Sequence, residues 1–403
     1  MNSNQILMNY GIESVPVAEG TCPVKISIDA GSTETRSHIW DTNPKSGTTY
    51  GIDSGYSILT QDISGLKSQS ETLYDNMEIT LEDLTPEKED KVFEQITVIK
   101  GGIFEDMRLP AAKTNSNTGK GLQDTTYINA IANIGLRVYM AAQTTGRAYT
   151  EYRMKVTLAL PNEDIASTKR QEDAKNRLAG NYYFTLPRCN FATNITIAKD
   201  DILLIDEAQA ALASWRQKNK DSNTSYDNVL LIDAGGRSID YSLMLKGRVL
   251  ARGSLTGKYG GQKFVDSIIE KYMNETGNDS PTKDMIYEAL DSGKMQDGNA
   301  KIEIVEFIDM AKREIAATIN NDITSLLDSN EVRMTQLNLV VGTGRLMGET
   351  TQDGEVVVDS LIKYIESYVK KASANTVVGR LDDSYALVHG LSLARFAFDS
   401  RKK

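Results

Sequence analysis

The chain has 403 residues, a hydrophobic fraction of 40% and a formal net charge of -10. That length exceeds what one hydrophobic core usually serves, so two domains are expected, and the acidic balance disfavours direct binding along nucleic acid or an anionic membrane. Two cysteines cannot build a disulfide framework, two histidines leave no donor set for structural zinc, and the start MNSNQILMNYGIESVP has no basic or long apolar export signal, so a cytoplasmic location is expected.

After a polar leader over residues 1–23, VKISIDAGSTETRSHIWD reads as two β-rich runs joined by a Gly-Ser-Thr turn. Between 41 and 117 small polar residues dominate and regular periods fade apart from ITVIKGGIF, so this stretch is predicted to be a loop-rich subdomain. TTYINAIANIGLRVYMAAQT has helical spacing, MKVTLALP reads as a buried strand stopped by Pro161, and NEDIASTKRQEDAKNRLAG returns to a polar helix. DDILLIDEAQAALASW is a strand turning into a small-residue helix, and NVLLIDAGGRSIDYSLML is two strands around a Gly-Gly turn. Further on, FVDSIIEKYMNE and IEIVEFIDMAKREIAATINNDI are helical by period, LNLVVGTGRLMG is a strand ending in a glycine turn, and YALVHGLSLARFAF is a terminal helix. The fold class is therefore α/β.

The most informative feature is a repeat: IDAGSTET from Ile28 to Thr35 recurs in type as IDAGGRSID from Ile232 to Asp240, each after an apolar β-run. A strand-terminal Asp can hold a magnesium-bound water, and glycine and hydroxyl positions let backbone N–H groups approach phosphate oxygens. One copy alone is a hairpin with a DxG turn. Two in matching contexts resemble the phosphate-binding hairpins of the actin, sugar kinase and heat-shock chaperone superfamily. DEAQAALASW (Asp206 to Trp215) resembles its first connecting helix, LNLVVGTGRLMG (Leu337 to Gly348) its adenosine motif, IDMAKREI the helix that contacts the nucleoside, and DDSYALVHGLSLA (Asp382 to Ala394) its second connecting helix. The spacing GxGxxxG near the C-terminus does not form the dinucleotide fingerprint.

The resemblance, over roughly residues 24–398, implies two duplicated ribonuclease H-like domains with nucleotide in the cleft between them. The expected domain I is 24–222 plus 376–403 and domain II is 223–375. It further implies an ATPase using ATP, with GTP left open, and Mg2+. Asp29 and Asp233 would organise the metal and join Glu207, which orients the attacking water, as catalytic residues. Gly31, Ser32, Thr33 and Arg36 would form the first phosphate loop, with Arg36 where the family often has lysine, and Gly235, Gly236, Arg237 and Ser238 the second. Asp309, Lys312 and Arg313, at i, i+3 and i+4, would contact the nucleoside from one helical face, although a solvated charged face has the same pattern. Gly342, Thr343, Gly344 and Arg345 would form the adenosine turn.

Within the superfamily the chain looks most like the bacterial plasmid-segregation actins, the ParM-like proteins. This implies self-assembly into filaments and a DNA-binding adaptor protein at a plasmid centromere, with no direct nucleic-acid or membrane contact. A small-molecule kinase, a chaperone-like ATPase and a filament positioning other cargo stay open.

Overall fold

The computed structural model describes residues 7–31, 34–54, 56–58, 71–86, 88, 91–101, 112, 120–221, 224–235, 238–257, 259–278, 281–381 and 385–401. Two compact units divide the chain: unit 1 is Met1–Ser214 with Leu387–Lys403, and unit 2 is Trp215–Ala386. Ser32, Thr33, Gly236 and Arg237 lie outside the described residues, as does the side chain of Arg345.

Unit 1 opens with β1 (Val17–Ala30), β2 (Glu34–Trp40) and β3 (Thr48–Asp53), an antiparallel meander. Residues 17–23 of the polar leader form the first half of β1 and pair with the start of β7 (Ala148–Leu160). Before β7 come β4 (Ser57–Ile58), β5 (Glu78–Asp83), β6 (Gln95–Ile99) and helix α1 (Asp124–Thr145). Every residue of α1 from Thr126 to Met140 is buried: most of the helix surface is apolar, and of its polar stripe Asn129 accepts from Lys100 and Arg137 donates to Thr48. After Pro161 the polar run divides into a short α2 (Asn162–Ile165) and α3 (Thr168–Leu178), since Ser167 caps α3 by accepting the Arg170 N–H. Strands β8 (Gly180–Leu186), β9 (Phe191–Ile197) and β10 (Ile202–Asp206) follow, then α4 (Glu207–Lys218).

β7 organises the unit. Along one side it runs parallel to β1; along the other its first half pairs with β9 and its second half with β10, both in parallel. From β9 the sheet continues through β8, β5, β6 and β4. Part of the 41–117 stretch therefore extends the main sheet instead of forming loops alone.

Unit 2 holds β11 (Val229–Ala234), β12 (Ile239–Leu245), β13 (Arg248–Gly257), α5 (Gly261–Thr276), α6 (Lys283–Ala289), a hairpin β14 (Lys294–Asp297) and β15 (Ala300–Glu303), and the long α7 (Val305–Ser329). Then come β16 (Leu339–Thr343), a hairpin β17 (Thr350–Gln352) and β18 (Glu355–Val358), α8 (Leu361–Ala372) and β19 (Val377–Arg380). Its five-stranded sheet has the order β13-β12-β11-β16-β19, antiparallel at first and parallel from β11 on. Unit 1 contains the same arrangement as β3-β2-β1-β7-β10. The sequence repeat is thus a repeat of topology, with the two DAG motifs at equivalent strand ends.

Helix α9 (Ala386–Arg401) returns to unit 1. It brings His389 against His38 of β2, ring centroids 5.2 Å apart, and Ser392 Oγ to 2.8 Å from both His38 Nδ1 and Ser27 Oγ. Burial is the chief reason that the His38 pKa falls to about 4, with the His389 and Arg137 charges adding to it.

Candidate active site

In unit 1, β1 and β10 flank the second half of β7 and run parallel to it, so the carboxyl ends of all three strands lie at one edge of the sheet, the place where open α/β sheets gather ligand-binding groups. β1 ends at Asp29 and Ala30; β10 ends at Asp206, followed by Glu207 at the start of α4. Between them stands a residue that the motifs did not supply. Lys120 Nζ donates to Asp29 Oδ1 at 3.0 Å and to Glu207 Oε1 at 2.7 Å. All three side chains are largely enclosed, at 18% exposure for Lys120, 8% for Asp29 and 22% for Glu207. Burial works against the Lys120 ammonium, but the Asp29 and Glu207 carboxylates outweigh it and raise its pKa.

The turn after Asp29 is tight. A Cβ on Gly31 would lie 2.6 Å from the Glu34 carbonyl oxygen, and Ser54 Oγ donates to the Gly31 carbonyl at 2.6 Å. Arg36 stands opposite Asp29 in the β1–β2 register, where its guanidinium donates to Glu34 Oε2 at 2.9 Å. Asp206 caps α4: its Oδ1 accepts the N–H groups of Ala208 at 2.8 Å and Gln209 at 3.1 Å. Burial raises its pKa to about 6, against the pull of those two N–H bonds.

In unit 2, Asp233 ends β11 opposite Asp240 of β12 and beside Thr343 of β16. Gly235 begins the turn, its carbonyl accepting the Gly261 N–H at the head of α5 at 3.0 Å, while Ser238 Oγ donates to Asp240 Oδ2 at 2.8 Å. Gly342 and Thr343 finish β16. Gly344 follows at φ 100°, in the range that favours glycine, and a Cβ there would be 2.3 Å from the Ala234 carbonyl oxygen. Arg345 then opens a single 3-10 turn. The glycine turn is thus packed against the end of β11, next to Asp233.

The three charged residues of α7 separate. Asp309 and Arg313 form an exposed pair at 2.8 Å, with the Tyr364 hydroxyl also on Asp309. Lys312 turns inward, buried, and donates to the carbonyls of Gly348 at 2.8 Å and Asp359 at 3.0 Å. Burial, seconded by the Arg380 charge, lowers its pKa to about 8. Lys312, unlike the exposed Asp309–Arg313 pair, is thus tied to the segment that follows the Gly344 turn.

No group of His, Cys, Asp and Glu residues dense enough to hold a metal by itself occurs among the described residues, and no helix there is long and apolar enough to cross a membrane. Residues 231–353 match the family described as archaeal actin homologue MreB-like, C-terminal. No curated protein matches the sequence. Among solved structures, the actin-like protein Alp7A is similar at 13% identity with a TM-score of 0.68, over 94% of this chain and 98% of that one. Bacillus thuringiensis ParM with ATP shows 12% identity and a TM-score of 0.59, over 94% and 99%. A 15-stranded ParM filament from Clostridium botulinum shows 14% identity and a TM-score of 0.57, over 94% and 99%. With two topologically equivalent units, each ending a central strand in an Asp-Ala-Gly turn, the chain has the actin-like fold.

Proposed function

We propose that the protein binds and hydrolyses Mg-ATP and couples hydrolysis to assembly of its own filaments. The observation that carries this reading is Lys120 bridging Asp29 and Glu207 at the carboxyl ends of the two strands that flank β7. Two carboxylates beside a tight glycine turn suit a hydrated metal ion and an attacking water, and the ammonium between them supplies positive charge for a phosphate oxygen, the parts that phosphoryl transfer to water needs. Two solved proteins of this fold support the substrate and the assembly: Bacillus thuringiensis ParM is described with ATP and with AMPPNP, and a Clostridium botulinum ParM as a filament.

The residues fit the nucleotide and its metal. Asp29 and Asp233 offer the hard oxygens that suit magnesium through water, and the turns at Gly31 and Gly235 are narrow enough for backbone N–H groups to reach phosphate oxygens. Bound Mg2+ supplies positive charge against the phosphate oxygens. Ser32, Thr33 and Arg36 would hold phosphate in unit 1, and Gly236, Arg237 and Ser238 in unit 2. Glu207 accepts a proton-side contact from the attacking water and fixes its direction, Lys120 places positive charge beside it, and the Gly342–Arg345 turn with Lys312 behind it receives the nucleoside. The acidic chain, at -10, suits a basic DNA-bound adaptor as the link to plasmid cargo.

Light scattering and phosphate release, recorded together after adding Mg-ATP, test this. A nucleotide-dependent rise with phosphate release is expected in the wild type. In Glu207→Gln the rise should persist while release slows on the order of 100-fold, and Asp233→Ala should lose both. Hydrolysis with a flat scattering trace would leave a monomeric kinase or chaperone-like ATPase; unchanged turnover in Glu207→Gln would remove that residue from the mechanism.

A further inference from the structure

Lys120 is the first residue of a single 3-10 turn, Lys120–Leu122, immediately before α1. Nothing in so short a turn fixes a long lysine side chain, yet its ammonium meets two carboxylates. The turn is held from outside. Asp164, on α2 just past the end of β7, is fully buried; its Oδ2 accepts the Gly121 N–H at 2.8 Å and its Oδ1 accepts Arg170 Nη1 at 3.0 Å. On the other side of the turn, the Tyr127 hydroxyl donates to the Gly121 carbonyl at 2.6 Å and Thr126 Oγ1 donates to the Lys120 carbonyl at 2.8 Å. The Lys120–Gly121 peptide is thereby held at both ends, its carbonyl by Thr126 and its N–H by Asp164, and the carbonyl of the next peptide is held by Tyr127.

We propose that Asp164 is a positioning residue for ATP hydrolysis, acting through Gly121 to set Lys120 between Asp29 and Glu207. The inference rests on the ATPase reading above. The physical case is that a buried carboxylate with one donor on each oxygen has no freedom to move, and that Asp164 follows directly from β7, the strand flanked by β1, which bears Asp29, and by β10, which ends one residue before Glu207. The turn, and with it Lys120, is thus referenced to the same strand as its two partners. Arg170 is the counter-charge that holds Asp164 Oδ1 and orients the carboxylate.

Asp164→Asn is the informative variant, because an amide has one acceptor where the carboxylate has two; either Gly121 or Arg170 loses its oxygen. Amide hydrogen exchange over residues 120–127 reads the hold directly and needs no nucleotide. It should quicken in Asp164→Asn and in Tyr127→Phe, the second variant leaving the carboxylate intact. In steady-state ATPase assays, both should lower kcat by roughly 10- to 100-fold while KM for ATP stays within about threefold, since misplacement of an already bound group costs rate and not affinity. In a Lys120→Ala background, Asp164→Asn should add no further loss in single-turnover rate, because it acts only through Lys120. Unchanged exchange in Asp164→Asn, or an equal loss of rate with and without Lys120, overturns the proposal. A wild type that hydrolyses no ATP overturns the ATPase reading and Asp164's part in turnover, and the exchange measurement then decides alone whether Asp164 holds the Lys120 turn.

Discussion

At the level of single residues, two buried titratable groups of unit 1 pull stability in opposite directions as pH falls. His38 has a folded pKa of about 4, below its ordinary 6.5, so the fold favours the neutral ring. The unfolded chain binds the proton first, and stability present above pH 6.5 is lost as pH falls toward 4; about 2 kcal/mol is gone by pH 5. Asp206 has a folded pKa of about 6, above its ordinary 3.8, so the fold favours the protonated acid and gains stability over an overlapping window as pH falls. Their sum is a shallow curve. Replacing His38 by Gln leaves Asp206 alone, so thermal melting at pH 7 and pH 5 should show a smaller acid-induced drop in Tm in His38→Gln than in the wild type, whatever its Tm at pH 7. An equal drop would place the acid sensitivity elsewhere.

Among elements, α4 and α9 pack closely at Gly390, where a Cβ would lie 1.8 Å from the Ala210 carbonyl oxygen. Gly390→Ala must therefore separate the two helices, at about 1–3 kcal/mol, which a fall in Tm by differential scanning calorimetry would register. The elements were legible in the sequence where their signal was local. The two DAG hairpins, the strand-helix junction at Asp206 and Glu207, and the helix α1 all follow from periodicity and turn residues close in the chain. The site was legible only in part, because Lys120 reaches Asp29 across 91 positions and Glu207 across 87. A lysine bracketed by Gly119 and Gly121 before a helix is a visible oddity, but no local rule aims it at a carboxylate. The inward turn of Lys312 was illegible for a related reason: helical spacing puts it near Asp309 and Arg313, while the carbonyls that draw it inward belong to Gly348 and Asp359. The pairing of β9 with β7 is equally remote from local pattern, since period-two alternation marks a strand without naming its neighbour.

For the whole molecule, the net charge of -10 opposes self-assembly, because every copy repels every other. Raising ionic strength from about 10 mM to about 150 mM shortens the screening length from ~30 Å to ~8 Å. The protein concentration at which Mg-ATP first produces scattering should fall accordingly; a threshold that rises with salt would mean that opposite charges meet at the subunit contact and outweigh the net repulsion.

β7 has 13 residues where its counterpart β16 has five, and the surplus is what carries β9 and the strands beyond it. Those outer strands are therefore grafted onto the same rail that bears the site, not bolted on as a separable module. Excising them would leave the first half of β7 with a bare row of backbone donors and acceptors, an adhesive edge of the kind that recruits foreign strands. The same strand that carries this flank also runs between the two strands whose ends bring Asp29 and Glu207 to Lys120.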